Sequence, residues 1–146
     1  MSASNILTAI NAITGTNITV NGVVVKGIKP ADMPSQMHIT PCHFIPMTAV
    51  QVNIQQIGMG GRTRYEYTLR HLMLWKALAQ NSIDDAFPEL LAWIQSYNDN
   101  IKAIALPTSI ALQSVNVAET AAITYPIAGE VSFAGVEMPI VLVESV

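Results

Sequence analysis

The chain has 146 residues, enough for one domain with a real core and too few for two ordinary ones. Hydrophobic residues make up 51% of it and charged residues only 12%, against roughly 25% in an average soluble domain. The formal net charge of −3 argues against a general nucleic-acid binder, which needs a Lys/Arg excess to replace phosphate counterions.

So few charges leave two ways to solvate the chain. Either the surface is rich in Thr, Asn, Gln and Ser, or apolar surface is hidden against other subunits, since obligate interfaces resemble a domain core cut in half. The basic residues are scattered, and only Arg62, Arg64 and Arg70 approach a cluster. No apolar run approaches the ~18 residues that span a bilayer. The opening "MSASNILTAINAITG" lacks the basic region of a signal peptide, and Cys42 is the sole cysteine, so cytosolic synthesis without an intrachain disulfide is expected.

In chain order, Ser4 is placed to cap a short helix in which Ile6, Ile10 and Ile13 form one face, with Gly15 as its end. In "ITVNGVVVKGI", Asn21-Gly22 between two β-branched runs predicts a hairpin with a type I′ turn. Pro30, Pro34, Pro41 and Pro46 make residues 29–46 an ordered extended crossing, with no helix interior and no central strand. "TAVQVNIQQI" alternates Val50, Val52 and Ile54 with Gln51, Asn53 and Gln55, which predicts a half-buried strand over 49–57. A second strand is expected over 64–75, and the two form a long hairpin whose arms each reach roughly 30 Å at about 3.3 Å per residue. Asp84, Asp85 and Pro88 mark a helix start. An apolar stripe of Leu90, Leu91, Ile94, Tyr97, Ile101 and Ile104 carries that helix over 87–105, and Pro107 ends it. The remainder reads as strands, with Gly135 at a turn or bulge between the last two. The fold class is therefore α/β (α+β), a single domain over 1–146. Its mixed, mainly antiparallel sheet carries a long β-hairpin and is packed by one main helix and a short N-terminal helix.

Two stretches raise the question of chemistry. "GMGGRTRY" is glycine-rich and followed by arginines, yet it lacks the lysine of a Walker A loop and runs into a strand, where a phosphate loop needs a helix N-terminus. It suits the tip of the hairpin, with little intrinsic preference of its own. The tip residues Gly58, Met59, Gly60, Gly61, Arg62 and Arg64 are then the candidate interface. The glycines let a neighbour set their shape, Met59 offers an adaptable apolar contact, and Arg62 and Arg64 offer charge-assisted donors. In "MHITPCHF", His38, Cys42 and His43 could ligate zinc, but no fourth ligand stands at a standard spacing and only His71 remains elsewhere. Cys42 and His43 are adjacent, so in an extended segment they point to opposite faces and cannot form a nucleophile–base pair with each other; a pairing of Cys42 with His71 stays open. No catalytic residue, metal or cofactor is assigned.

The strand "RTRYEYTLRHLML", the helix "FPELLAWIQSYNDNIKAIALP" and the ending "YPIAGEVSFAGVEMPIVLVES", in that order, resemble the tail terminator proteins of long-tailed bacteriophages, also called tail completion or neck proteins. The resemblance covers most of residues 49–146 and is a pattern of elements rather than a diagnostic motif. It implies a virion structural protein with no catalytic activity. Such proteins form a homo-oligomeric ring, usually a hexamer, on the head-proximal end of the tail. The ring ends polymerisation of the tail tube protein and receives the head connector or stopper protein. DNA only passes through the channel, and no membrane is involved. A head-completion stopper or other neck protein, a small enzyme using Cys42, His43 or His71, and a non-viral assembly module are the alternatives.

Overall fold

A computed structural model of the chain describes residues 2–35, 37, 39–57, 61–79, 82–115, 117–125 and 131–145. The elements are α1 (Ser2–Thr14), β1 (Ile18–Val20), β2 (Val23–Gly27), a 3-10 turn (Pro30–Asp32), β3 (Cys42–Phe44), β4 (Gln51–Ile57), β5 (Arg62–Ala77), α2 (Ile83–Lys102), β6 (Ile110–Val115), β7 (Glu119–Thr124) and β8 (Ser132–Ser145). This is an α+β fold, with a mixed and mostly antiparallel sheet, as the residue pattern predicts.

Two long antiparallel strands, β5 and β8, form the spine, paired from Arg64↔Ser145 to Leu74↔Gly135 and, past a one-residue bulge at Trp75 of β5, from Lys76↔Ala134 to Ala77↔Phe133. Each has a different neighbour at each end. Along β5, β3 pairs with Leu72–Leu74 and β4 with Arg62–Thr68. Along β8, β7 pairs with residues 132–137 and β6 with residues 140–144. The sheet therefore has two ends. One is broad, running β1-β2-β3-β5-β8-β7. The other is only four strands wide, β4-β5-β8-β6.

This register accounts for two residues that would otherwise break a central strand. β8 runs through Gly135 without the turn between two strands that was expected, and the bulge at this level lies in the facing strand, between Leu74 and Lys76 of β5. A Cβ at Gly135 would run into the Met73 carbonyl oxygen of β5, so glycine serves close strand approach here. Pro139 pairs with Arg70 on one side. On its other side it falls in the gap between β6, which reaches Ile140, and β7, which begins opposite Glu137. No strand there needs its missing N–H.

Both helices pack on one face of the sheet. From α1, Ile6, Ala9, Ile10 and Ile13 are buried. The helix begins at Ser2, so Ser4 lies within its first turn instead of capping it, and Gly15 N–H bonds the Asn11 carbonyl at its end. α2 starts four residues before the expected boundary. Ser82 is its N-cap, accepting from the Asp85 N–H at 3.1 Å, and Pro88 is accommodated in the first turns. Its buried stripe is Ala86, Leu90, Trp93, Tyr97 and Ile101. Leu91 and Ile94, expected in the stripe, are only half-buried, because the helix face is rotated toward Trp93, and Ile104 lies beyond the helix, which ends at Lys102 and not near residue 105. These side chains meet Leu69, Met73 and Trp75 of β5 and Val136, Met138, Ile140 and Leu142 of β8.

The opposite face of the broad end has its own smaller core of Ile28, Cys42, Phe44, Leu72, Leu74 and Phe133, with Met33, Met37, Ile123 and Tyr125 packed on it. The proline-containing crossing supplies the cover, but not as an extended surface segment throughout. Cys42–Phe44 is a central strand, parallel to β2 and antiparallel to β5, and fully buried. Pro41 and Pro46 flank this strand without entering it, and so remove no bond from the ladder. The β1–β2 turn is as predicted, with positive φ at Asn21 (50°) and Gly22 (78°).

Candidate functional site

At the narrow end the sheet outruns its helices. From Gln51 to Gln56, β4 is exposed on both faces. This departs from the half-buried strand its alternation predicts. The apolar face exists, but among the described residues nothing covers it: Val52 is 46% exposed and Ile54 is 63% exposed. The register places them in two rows across the sheet, Val52–Tyr67–Leu142–Leu112 and Ile54–Tyr65–Glu144–Ile110. Leu142, Glu144 and Ile110, at the β8 and β6 side, are buried. Tyr65 and Tyr67 stack at 6.2 Å and are half-buried. Thus in each row burial declines from β8 toward β4. Glu144 Oε1 accepts from the Tyr67 hydroxyl at 3.5 Å, while its buried Oε2 has no hydrogen-bond partner among the described residues.

The hairpin is shorter on one side than expected: β4 has seven residues and β5 sixteen. Of the candidate tip residues, Gly58, Met59 and Gly60 lie outside the described residues. Gly61 is an exposed turn residue, and Arg62 opens β5 opposite Ile57. A strand thus follows the glycines directly, and no helix N-terminus stands there to hold a phosphate. Arg64 sits half-buried with Nη2 3.9 Å from Glu66 Oε2, and its Nε has no hydrogen-bond partner.

Of the three residues with chemical potential, the two histidines meet and the cysteine lies apart from them. His43 of β3 and His71 of β5 meet in the helix-covered core, joined to Tyr97 of α2. The order of hydrogen bonds fixes every proton. The Thr16 carbonyl only accepts, so His43 donates to it from Nε2 at 2.6 Å. Neutral His43 then accepts at Nδ1 from His71 Nε2 at 2.9 Å. His71 in turn accepts at Nδ1 from the Tyr97 hydroxyl at 2.5 Å. Trp93 packs against both imidazoles. Burial lowers the His43 pKa to about 4, opposed by the bond to Thr16. Burial, then the neighbouring His43, pushes His71 well below its ordinary value, and burial raises Tyr97. At neutral pH the chain is uncharged, and all four ring nitrogens are engaged within the protein.

Cys42 faces the other way, into the smaller core, with Sγ 3.6 Å from Met37 Sδ. Burial pushes its thiol up to about 12, opposed by a backbone bond from Leu74, so it is a protonated core residue and not a nucleophile. The sheet separates it from both His43 and His71, which answers the pairing left open by sequence. His38 lies outside the described residues. Among the described residues no group of three or more His, Cys, Asp or Glu could hold a metal ion. An open cleft of about 800 Å³ lies between the C-terminal ends of the helices, lined by Asn11, Thr16, Asn17, Lys29 and Asn100 among others. It offers amides and hydroxyls, but no general acid or base apart from the Lys29 ammonium.

No signal in the sequence pairs His43 with His71, because the contact depends on how β3 registers with β5. The exposed β4 face could have been found, since "QVNIQQI" carries no charge or proline to protect an edge. Comparison of the chain with family models, with curated proteins and with solved structures returns no match.

Proposed function

We propose that this chain is a virion structural protein that assembles into a ring at the head-proximal end of a phage tail. There it ends tube polymerisation and presents a surface to the head connector. The observation that carries the reading is the narrow end of the sheet, where an uncharged edge strand with an apolar face projects beyond the helices. An exposed, uncharged edge of this kind is a template for pairing with another chain, and natural monomers protect such edges. The chain's low charge fits a subunit that buries much of its surface in an assembly. The order of elements carries the resemblance to tail terminators. The partners are then other copies of the chain, most simply six, with the tail tube protein on one side and the connector or stopper on the other. DNA passes through the channel without being held, and no cofactor takes part.

An enzymatic role for Cys42, His43 or His71 is disfavoured by their geometry. The thiol is protonated and turned away, and the imidazoles spend their nitrogens on one another, Thr16 and Tyr97. The test is an electron micrograph of the purified protein, together with tail-length measurement when a terminator-deficient phage is complemented. Rings with a central hole and tails of normal length are expected. Monomers, or rings that leave tails overgrown, would overturn the terminator reading.

A further inference from the structure

We infer that copies of this chain join by pairing the free edge of β4 with the free edge of β6 of the next copy, antiparallel, so that one sheet runs through the assembly. The inference rests on the ring reading above and names the contact that builds it.

Four observations carry it. First, β4 and β6 bound the narrow end on opposite sides, and among the described residues neither has a strand partner on its outer edge. Secondly, neither edge is protected by charge or proline: "QVNIQQI" and "IALQSV" contain no charge, proline or glycine, and the one register irregularity of β6 falls between Leu112 and Ser114, beyond the Ile110–Leu112 stretch that would meet Val52 and Ile54. Thirdly, the polarity is right. β4 is antiparallel to β5, β5 to β8, and β8 to β6, so β4 and β6 run in opposite directions. A second copy laid alongside in the same orientation therefore presents β4 antiparallel to the first copy's β6. Fourthly, the apolar sides match. Val52 and Ile54 end the rows on one side, while Leu112 and Ile110 end them on the other, all on the helix-bearing face. Joining the edges continues each apolar row from copy to copy and covers the two most exposed apolar residues of β4.

A symmetric pairing of β4 with β4 would cover one edge and leave β6 open. The β4–β6 contact is head-to-tail, so one kind of contact covers both edges, and it closes into a ring when the rotation per subunit permits.

The experiment places single cysteines on exposed positions of the face opposite the helices. Gln51→Cys, Asn53→Cys and Gln55→Cys scan β4, and Ala111→Cys marks β6. Native Cys42 stays in place, since it is buried and protonated. Each β4 variant is co-expressed with the β6 variant, then oxidised or treated with a short bismaleimide that tolerates an offset of one residue pair. Facing residues of antiparallel strands lie about 4.5–5.5 Å apart, within disulfide reach. The expected result is a covalent dimer for at least one co-expressed pair, approaching the half of the protein that random mixing of the two variants allows, and none for any variant alone. Covalent dimers from a β4 variant alone would overturn the proposal in favour of a symmetric contact. Assemblies that sediment as rings yet give no cross-link would overturn it while leaving the ring intact. Monomers throughout would remove the ring reading itself.

Discussion

The two ends of the sheet are built from the same pair of strands and end in opposite states. Near Leu72 and Met73, β5 is covered on both faces, by α2 on one and the proline-containing crossing on the other. There even polar groups are enclosed and satisfied: Thr16, His43, His71 and Tyr97 form one directed chain of hydrogen bonds between loop, strands and helix. Near Tyr65, the same strand has helix cover reaching only its β8 and β6 neighbours, and β4 beside it is bare. The broad end accounts for folding the subunit. The narrow end is left with an edge and an apolar face that folding does not use. Mutations at the two ends should therefore separate stability from assembly.

The largest effect on stability belongs to the broad end. Trp93→Ala, which empties the space against both imidazoles, should cost about 3–5 kcal/mol in urea denaturation. Acid acts on the same region. Unfolded His43 takes a proton near pH 6.5 but folded His43 only near 4. Its contribution is thus fully present above pH 6.5 and is lost as pH falls toward 4, by about 3 kcal/mol, with His71 adding in the same direction. Denaturation midpoints measured from pH 7 to pH 4 should fall steadily, and His43→Gln should flatten that slope. Tyr97→Phe comes next. It removes the donor to His71 Nδ1 and leaves a buried acceptor, at about 1–3 kcal/mol. At the narrow end the effect on subunit stability should nearly vanish. Deleting residues 58–62, the tip of the hairpin, should shift the denaturation midpoint by no more than about 0.5 kcal/mol, yet weaken ring formation or attachment to the tail. Normal rings and normal tails from that deletion would remove the tip, though not the edge, from the interface.

The contrast between the ends was partly legible in the sequence. Period-two alternation located β4 and β5, and the Asn21-Gly22 pair located the first hairpin, because these signals are local. What alternation cannot say is whether another element of the same chain reaches the apolar face. Val52 and Leu69 carry the same pattern, yet one is bare and the other buried by the helices. Cys42–Phe44 hid as a strand because two prolines stand close by and only three residues pair. The α2 stripe was displaced toward Leu91 and Ile94 because the count left out Trp93, whose bulk sets which way the helix faces. Gly135 looked like a break between two strands, since what it permits, a close crossing of Met73, lies in another strand.

The claim that the narrow end is an assembly surface is tested most directly by sedimentation velocity of the wild-type chain beside the double variant Val52→Lys/Ile54→Lys. Two lysines on β4 supply the charge that natural edge strands use against pairing. The account predicts that the wild type sediments as a closed assembly several times the 15.7 kDa subunit. The variant should sediment as a single subunit that still unfolds in one cooperative thermal transition. A wild-type chain that stays monomeric at high concentration, or a double variant that assembles as well as the wild type, would contradict it.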